Sequence, residues 1–281
     1  MATIDVHQHL WPPAFIDALG RRSDAPRLQG SVLELGGERA SDVDLDAHNL
    51  DVRLALLDRW EIDTAVVSLQ PTLGCDAELV EVYERGILDV AEASSGRIVA
   101  LACNRAADGF AGACIAATEL VDLAAVKSRL DELERSGAFL FVHPGPVRRP
   151  GGAPDWWPAV VDYTAQMQAA YAAWLAGGAE RWPGMRVVFA ILAGGGPFQL
   201  ERLASRGISG RGLLHENVYF ETASYGPRAL DLCLKTYGVG QLCFGSDAPV
   251  IDPQPTLDAV RGFGDAVTDA LCNVNPSRLL S

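Results

Sequence analysis

Eight short runs rich in β-branched and apolar residues recur along the chain, and a helical pattern separates most of them. This alternation constrains the fold more than any other feature. The runs are TIDVH (3 to 7), DTAVVSL (63 to 69), RIVALAC (97 to 103), GACIAAT (112 to 118), AFLFVH (138 to 143), RVVFAIL (186 to 192), NVYFETA (217 to 223) and QLCFGS (241 to 246). Between them, stretches such as AHNLDVRLALLDRW and LAAVKSRLDELERS repeat apolar residues at three- and four-residue spacing, the period of an amphipathic helix. Strands that alternate with helices imply βα units and a parallel sheet. Eight is the strand number of a TIM (β/α)8 barrel, which typically uses about 250 residues, and the chain has 281. The pattern therefore predicts an α/β barrel, one domain over residues 1 to 281.

Two segments exceed an ordinary connection: residues 10 to 46, a Gly-, Pro- and Asp-rich insertion after the first strand, and residues 144 to 155 after the fifth. Both follow strand C-termini, the end at which barrel enzymes build their sites, so the first is expected to act as a lid. Trp11 and Trp156, with Trp157, fall in or beside these segments. They can cover a planar ligand or simply bury apolar surface.

The composition, 49% hydrophobic and 21% charged, is that of a globular protein with a sizeable core. A formal charge of −13 argues against nucleic acid or an anionic membrane as partner, because either is repelled. No signal sequence and no apolar run of membrane-spanning length is visible, which makes the cytoplasm the expected compartment. The six cysteines form no C-x-x-C pair and read as reduced core thiols.

The chemistry-bearing residues fall at the strand ends. In DVHQH, alternation puts Asp5, His7 and His9 on one face, so two imidazoles can reach one metal ion. His143 closes the fifth run in phase with Phe139 and Phe141, and Asp247 follows the eighth in phase with Cys243 and Gly245. Three nitrogens and one carboxylate suit a single divalent ion, zinc first, with iron, manganese or cobalt as alternatives. The only lysines, Lys127 and Lys235, lie in helical patterns, which removes a lysine bridge between two metals. His48, at the start of a helix, reads as a capping or solvated residue, and His215 precedes the seventh strand at the opposite end of the barrel.

The motifs IDVHQHLWPP, VRLALLDRWEIDTAVVSLQP, GRIVALACN, FLFVHPG, GGAERWPGMRVVFA, VYFETA, CFGSDAP and NPSRLL together resemble the amidohydrolase-related family, the branch that includes aminocarboxymuconate semialdehyde decarboxylase. The resemblance implies a distorted TIM barrel and one metal, usually zinc, held at His7, His9, His143 and Asp247. It places Arg53 on an arginine that binds a substrate carboxylate, and it implies a small carboxylate substrate and frequent homodimers. Family members carry a histidine where this chain has Ile191, which removes a proton-transfer partner. The following glycines lack the spacing of a dinucleotide loop and read as a tight strand-to-helix turn.

Non-oxidative decarboxylation is the first expectation for the reaction, with Asp247 as the surviving acid or base. Hydrolysis or hydration by a metal-activated water, with Asp247 as base, is the alternative. The loss of the histidine also leaves open a non-catalytic barrel, or one turned to cyclisation or dehydration.

Overall fold

A computed structural model describes residues 2 to 208 and 215 to 281. Its eleven strands among these residues are β1 Ile4–Gln8, β2 Arg27–Gln29, β3 Val32–Glu34, β4 Ser41–Asp42, β5 Thr64–Val67, β6 Ile98–Cys103, β7 Gly112–Ala116, β8 Phe139–His143, β9 Val187–Phe189, β10 Val218–Glu221 and β11 Leu242–Cys243. Eight of them form one parallel sheet in the order β1-β5-β6-β7-β8-β9-β10-β11, while β2, β3 and β4 make a small antiparallel sheet inserted after β1. This is the expected TIM barrel with its insertion.

Closure comes just beyond β11. Val6 N–H donates to Phe244 O (3.0 Å), Asp247 N–H to His7 O (2.8 Å) and His9 N–H to Ala248 O (2.7 Å). The seam of the barrel therefore lays the Asp247 loop against the C-terminal end of β1. Asp247 takes a left-handed backbone there, at φ 66°, a conformation that the closing hydrogen bonds hold in place.

Each of the eight barrel strands falls on one of the eight runs, β1 extending one residue past its run to Gln8, and β9 and β11 end three residues early. The sixth run stops as a strand at Phe189 rather than residue 192, because Ile191, Leu192 and Ala193 have φ of 46°, 50° and 52°. A left-handed turn of three non-glycine residues cannot continue a strand. Gly194 then passes so close to the helix Tyr163–Ala173 that an added Cβ would sit 2.3 Å from Thr164 O. Packing, not phosphate binding, accounts for this glycine.

The strands are covered on the outside by helices whose apolar faces follow the spacing of their sequences. Tyr171, Phe189, Phe220 and Tyr237 form one such layer, with Phe220 and Tyr237 rings stacked at 4.0 Å. Asn49 caps the helix Leu50–Trp60 by accepting from Val52 N–H at 3.2 Å. Cys114, Cys233, Cys243 and Cys272 are buried in the core. No described helix is long and apolar enough to cross a membrane.

Candidate metal centre and cavity

His7 comes from β1 and His9 from the residue just after it, His143 from the end of β8, and Asp247 from the loop after β11. One ligand atom from each lies within 4.8 Å of the others. His7 Nε2 is 3.1 Å from His9 Nε2, and Asp247 Oδ1 is 3.0 Å from His9 Nε2 and 3.5 Å from His7 Nε2. The three imidazoles are nearly fully buried.

The outer partners of these rings settle which nitrogen faces the cluster. His9 Nδ1 is 2.9 Å from Ser68 O and His143 Nδ1 is 2.9 Å from Pro144 O, and a carbonyl can only accept. Both rings therefore carry their proton on Nδ1 and present a bare Nε2 inward. His7 Nδ1 faces Glu221 Oε1 at 3.2 Å, near contact but off the line of a good hydrogen bond. Lone pairs that converge on one point with no proton between them repel one another, and a divalent cation resolves that repulsion. Ring nitrogens backed by carbonyls and a carboxylate are the usual surround of such an ion. The donor set thus fits a divalent metal.

The electrostatics agree. Burial would depress the His7 pKa, but Glu221 and Asp247 outweigh it and raise it to about 9. His9 and His143 are pushed down by burial, His143 further by the other two imidazoles. Burial opposes ionisation of Asp247, yet His7 and His9 hold it below the usual carboxylate range. The cluster attracts positive charge toward two carboxylates.

Behind the metal residues lies a buried support. Asp5 accepts from Gln8 Nε2 (2.8 Å), His7 N–H (3.1 Å) and Ser246 N–H (3.1 Å), and burial raises its pKa to about 6. Glu221, at the end of β10, accepts from Ala223 N–H (2.6 Å) and from Ile191 N–H. It therefore ties the left-handed turn after β9 to His7. Gly245 makes room for it: a Cβ there would lie 2.3 Å from Glu221 Oε2 and 2.9 Å from His7 Cβ. Glu221 escaped the sequence reading, although a lone acid among the aromatic and apolar residues of VYFETA was its signal.

The cluster forms the floor of a cavity of about 370 Å³, roofed by the inserted sheet and its following loop. Leu33 and Leu35, Ile191, Trp11 and Leu73 supply apolar wall, while Glu38, Asp42, Asp44, His48 and Tyr163 are polar. Trp11 lies in this wall, buried, and donates from Nε1 to Gln70 Oε1 at 2.8 Å. Trp156 lies elsewhere: it is 56% exposed, stacks on Trp157 and does not line the cavity.

Arg53 is also not in the wall. It is fully buried and donates from Nη1 to Gln8 Oε1 (2.9 Å), and from Nη2 to His9 O (3.1 Å) and Ala47 O (2.8 Å). Its guanidinium braces the back of β1. His48 departs from its expected role as well. Asn49 does the capping, and His48 sits in the short turn Asp46–His48, 4% exposed, facing the cavity. His215 borders a separate groove with Pro183 and Asn217, away from the cluster.

A parallel (β/α)8 barrel with three histidines and an aspartate at its C-terminal mouth defines a metal-binding barrel of the amidohydrolase class. The chain belongs to the amidohydrolase family: a model of that family, Amidohydro_2, described as Amidohydrolase, matches residues 4–281. No curated protein sequence matches it. Solved structures of similar fold include apo IDCase from Metarhizium anisopliae, with 20% identity, TM-score 0.81, and 99% of this chain and 97% of that one covered. A second is 5-carboxyvanillate decarboxylase LigW from Sphingomonas paucimobilis (17% identity, TM-score 0.72, 100% and 99% covered). A third is 5-carboxyvanillate decarboxylase from Novosphingobium aromaticivorans, complexed with manganese and 4-hydroxy-3-methoxy-5-nitrobenzoic acid (14% identity, TM-score 0.74, 99% and 96% covered). At these identities the likeness is one of fold.

Proposed function

We propose that this protein is a metal-dependent enzyme that removes carbon dioxide, without oxidation, from a small planar carboxylic acid, with zinc the first candidate for the ion and manganese the next. The observation that carries the reading is the pairing of Asp247 with Ile191. Beside the three histidines, Asp247 is the one further ionisable group among the described residues that converges on the cavity floor, and the turn after β9 puts the aliphatic Ile191 in the same cavity lining. Either reaction asks Asp247 to take up one proton and give it back; decarboxylation does so without an attacking water, which the aliphatic Ile191 side of the cavity offers no group to position. The 5-carboxyvanillate decarboxylases of similar fold, one of them with manganese and a nitrobenzoic acid bound, support this choice.

His7, His9, His143 and Asp247 would hold the ion, which supplies a Lewis acid that anchors the acid and disperses the charge developing as the carbon–carbon bond breaks. Asp247 turns Oδ1 toward His7 and His9 and keeps Oδ2 without a partner among the described residues. Held in its ionised form, Asp247 first takes a proton from a ring hydroxyl on the substrate. It then passes that proton to the ring carbon that bears the carboxylate. The carbon–carbon bond electrons return to the ring as carbon dioxide leaves, so that a hydroxy acid anion yields a phenolate and carbon dioxide, and the phenolate is reprotonated from solvent. Leu33, Leu35 and Ile191 present apolar surface that excludes water from the reacting carbon.

The test is carbon dioxide release from a panel of hydroxybenzoates by metal-loaded protein, with metal content measured on each sample. Release that Asp247→Asn abolishes at unchanged metal content supports the reading. Hydrolysis of esters or lactones without carbon dioxide release from any acid overturns it.

A further inference from the structure

We infer that the outer half of the cavity receives a neutral hydrogen-bonding group of the substrate, with His48 as its donor, and turns away a second negative charge. The inference deepens the decarboxylase reading, on which it rests for the placement of the substrate's one carboxylate at the metal residues.

His48 is the first observation. Its Nδ1 accepts the Trp11 backbone N–H at 3.1 Å, which fixes the ring proton on Nε2. Trp11 stacks flat on the imidazole, with centroids 4.5 Å apart and planes 4° from parallel, so the ring cannot swing. Nε2–H has no partner among the described residues, although the side chain is 96% removed from solvent and lines the cavity. The Nε2 atom is thus open to the cavity rather than sealed in the protein, and a fixed donor in that position is free to be matched to water or to a ligand. Burial, with Arg53 and His9 nearby, also lowers the His48 pKa to about 3, so it donates as a neutral ring.

The second observation is the sign of the wall. Glu38, Asp42 and Asp44 face the cavity, and the described lining residues include no lysine and no arginine. Glu38 is held in place by Tyr163, whose hydroxyl donates to Oε1 at 2.9 Å. The nearby cations are engaged elsewhere: Arg53 has three acceptors behind β1, and Arg149 pairs with Asp155. A carboxylate in this half of the cavity meets like charge from half-buried Glu38 at close quarters and from the exposed Asp42 and Asp44 through solvent, with Arg149 the cation that acts on Glu38. A hydroxyl meets a donor in His48 and acceptors in the acidic side chains. The metal residues supply the one place for an anion, and the lid supplies the place for a phenol.

The two halves can be tested by binding. Calorimetry on the metal-loaded protein compares benzoate, 3-hydroxybenzoate and isophthalate, which differ only in the group meta to the shared carboxylate. The expected order is 3-hydroxybenzoate at least tenfold tighter than isophthalate, with Glu38→Gln narrowing that gap threefold or more. His48→Phe, which keeps the stack on Trp11, should weaken 3-hydroxybenzoate about ten times more than it weakens benzoate. Isophthalate binding as tightly as 3-hydroxybenzoate overturns the inference, and so does an equal loss for both monoacids in His48→Phe. If the His48 variant does not fold, the wild-type comparison and Glu38→Gln still decide. Carbon dioxide release from 2- and 4-hydroxybenzoate, whose hydroxyls are conjugated with the carboxylated carbon as the proposed step requires, judges the decarboxylase reading separately, since the binding order stands whether or not turnover follows. Failure of all three acids to bind overturns the inference.

Discussion

Replacing Arg53 by methionine, which keeps the length of the side chain and removes its charge, separates a bracing role from substrate binding. The guanidinium makes three buried hydrogen bonds, to Gln8 Oε1, His9 O and Ala47 O. Hydrogen bonds to a charged group contribute about 1.5 to 3 kcal/mol each, so about 4.5 to 9 kcal/mol is lost. Part is returned, because burial lowers the Arg53 pKa from 12.5 to about 10, a desolvation cost of roughly 3 kcal/mol at about 1.36 kcal/mol per unit. The net loss is about 2 to 6 kcal/mol, in line with the roughly 3 to 5 kcal/mol for removing one partner from a buried charged contact. At about 2 °C per kcal/mol for a chain of this size, thermal unfolding should shift down by about 4 to 12 °C. Metal affinity should fall as well, because Arg53 holds the backbone of His9, while KM measured at saturating metal changes little. Arg53→Met with an unchanged melting temperature and a selective loss of carboxylate binding would refute the bracing role.

Acid sensitivity and metal support give two further outcomes. His48 has a pKa of about 3 when folded against 6.5 in its ordinary state, so below pH 6.5 the unfolded chain binds a proton that the folded chain does not. Its stabilisation is complete above pH 6.5 and is lost as pH falls toward 3, about 2 kcal/mol between pH 7 and 5. Denaturant titrations should show that share of the acid sensitivity gone in His48→Phe. Glu221→Gln keeps the shape of the side chain but weakens its hold on His7 Nδ1, and metal affinity measured by chelator competition should drop about 10- to 100-fold. An unchanged affinity removes Glu221 from the support of the site.

The barrel was legible because a period of two in the strands and of 3.6 in the helices is written into the residues themselves. His7, His9 and His143 were legible for the same reason, since they sit at strand ends where phase indicates direction, while Asp247 lies four residues past β11 in a left-handed turn and was legible from its place after the eighth run. Arg53 was not, since periodicity places it on a helix but does not say that it reaches behind β1 to the His9 carbonyl. His48 lies at the end of a non-periodic insertion, and its place in the wall depends on stacking with Trp11, which no local pattern encodes. The turn at Ile191 runs against local preference outright, because a β-branched residue at φ 46° is one that sequence alone argues against. Glu221, which accepts the Ile191 N–H, shows what holds that turn in place.

Anomalous diffraction from crystals of the metal-loaded protein tests the central claim most directly. The account predicts one peak, about 2.0 to 2.2 Å from the Nε2 atoms of His7, His9 and His143 and from Asp247 Oδ1, and its loss in His7→Ala. A second peak beside the first, or an ion bound away from these four side chains, would contradict it.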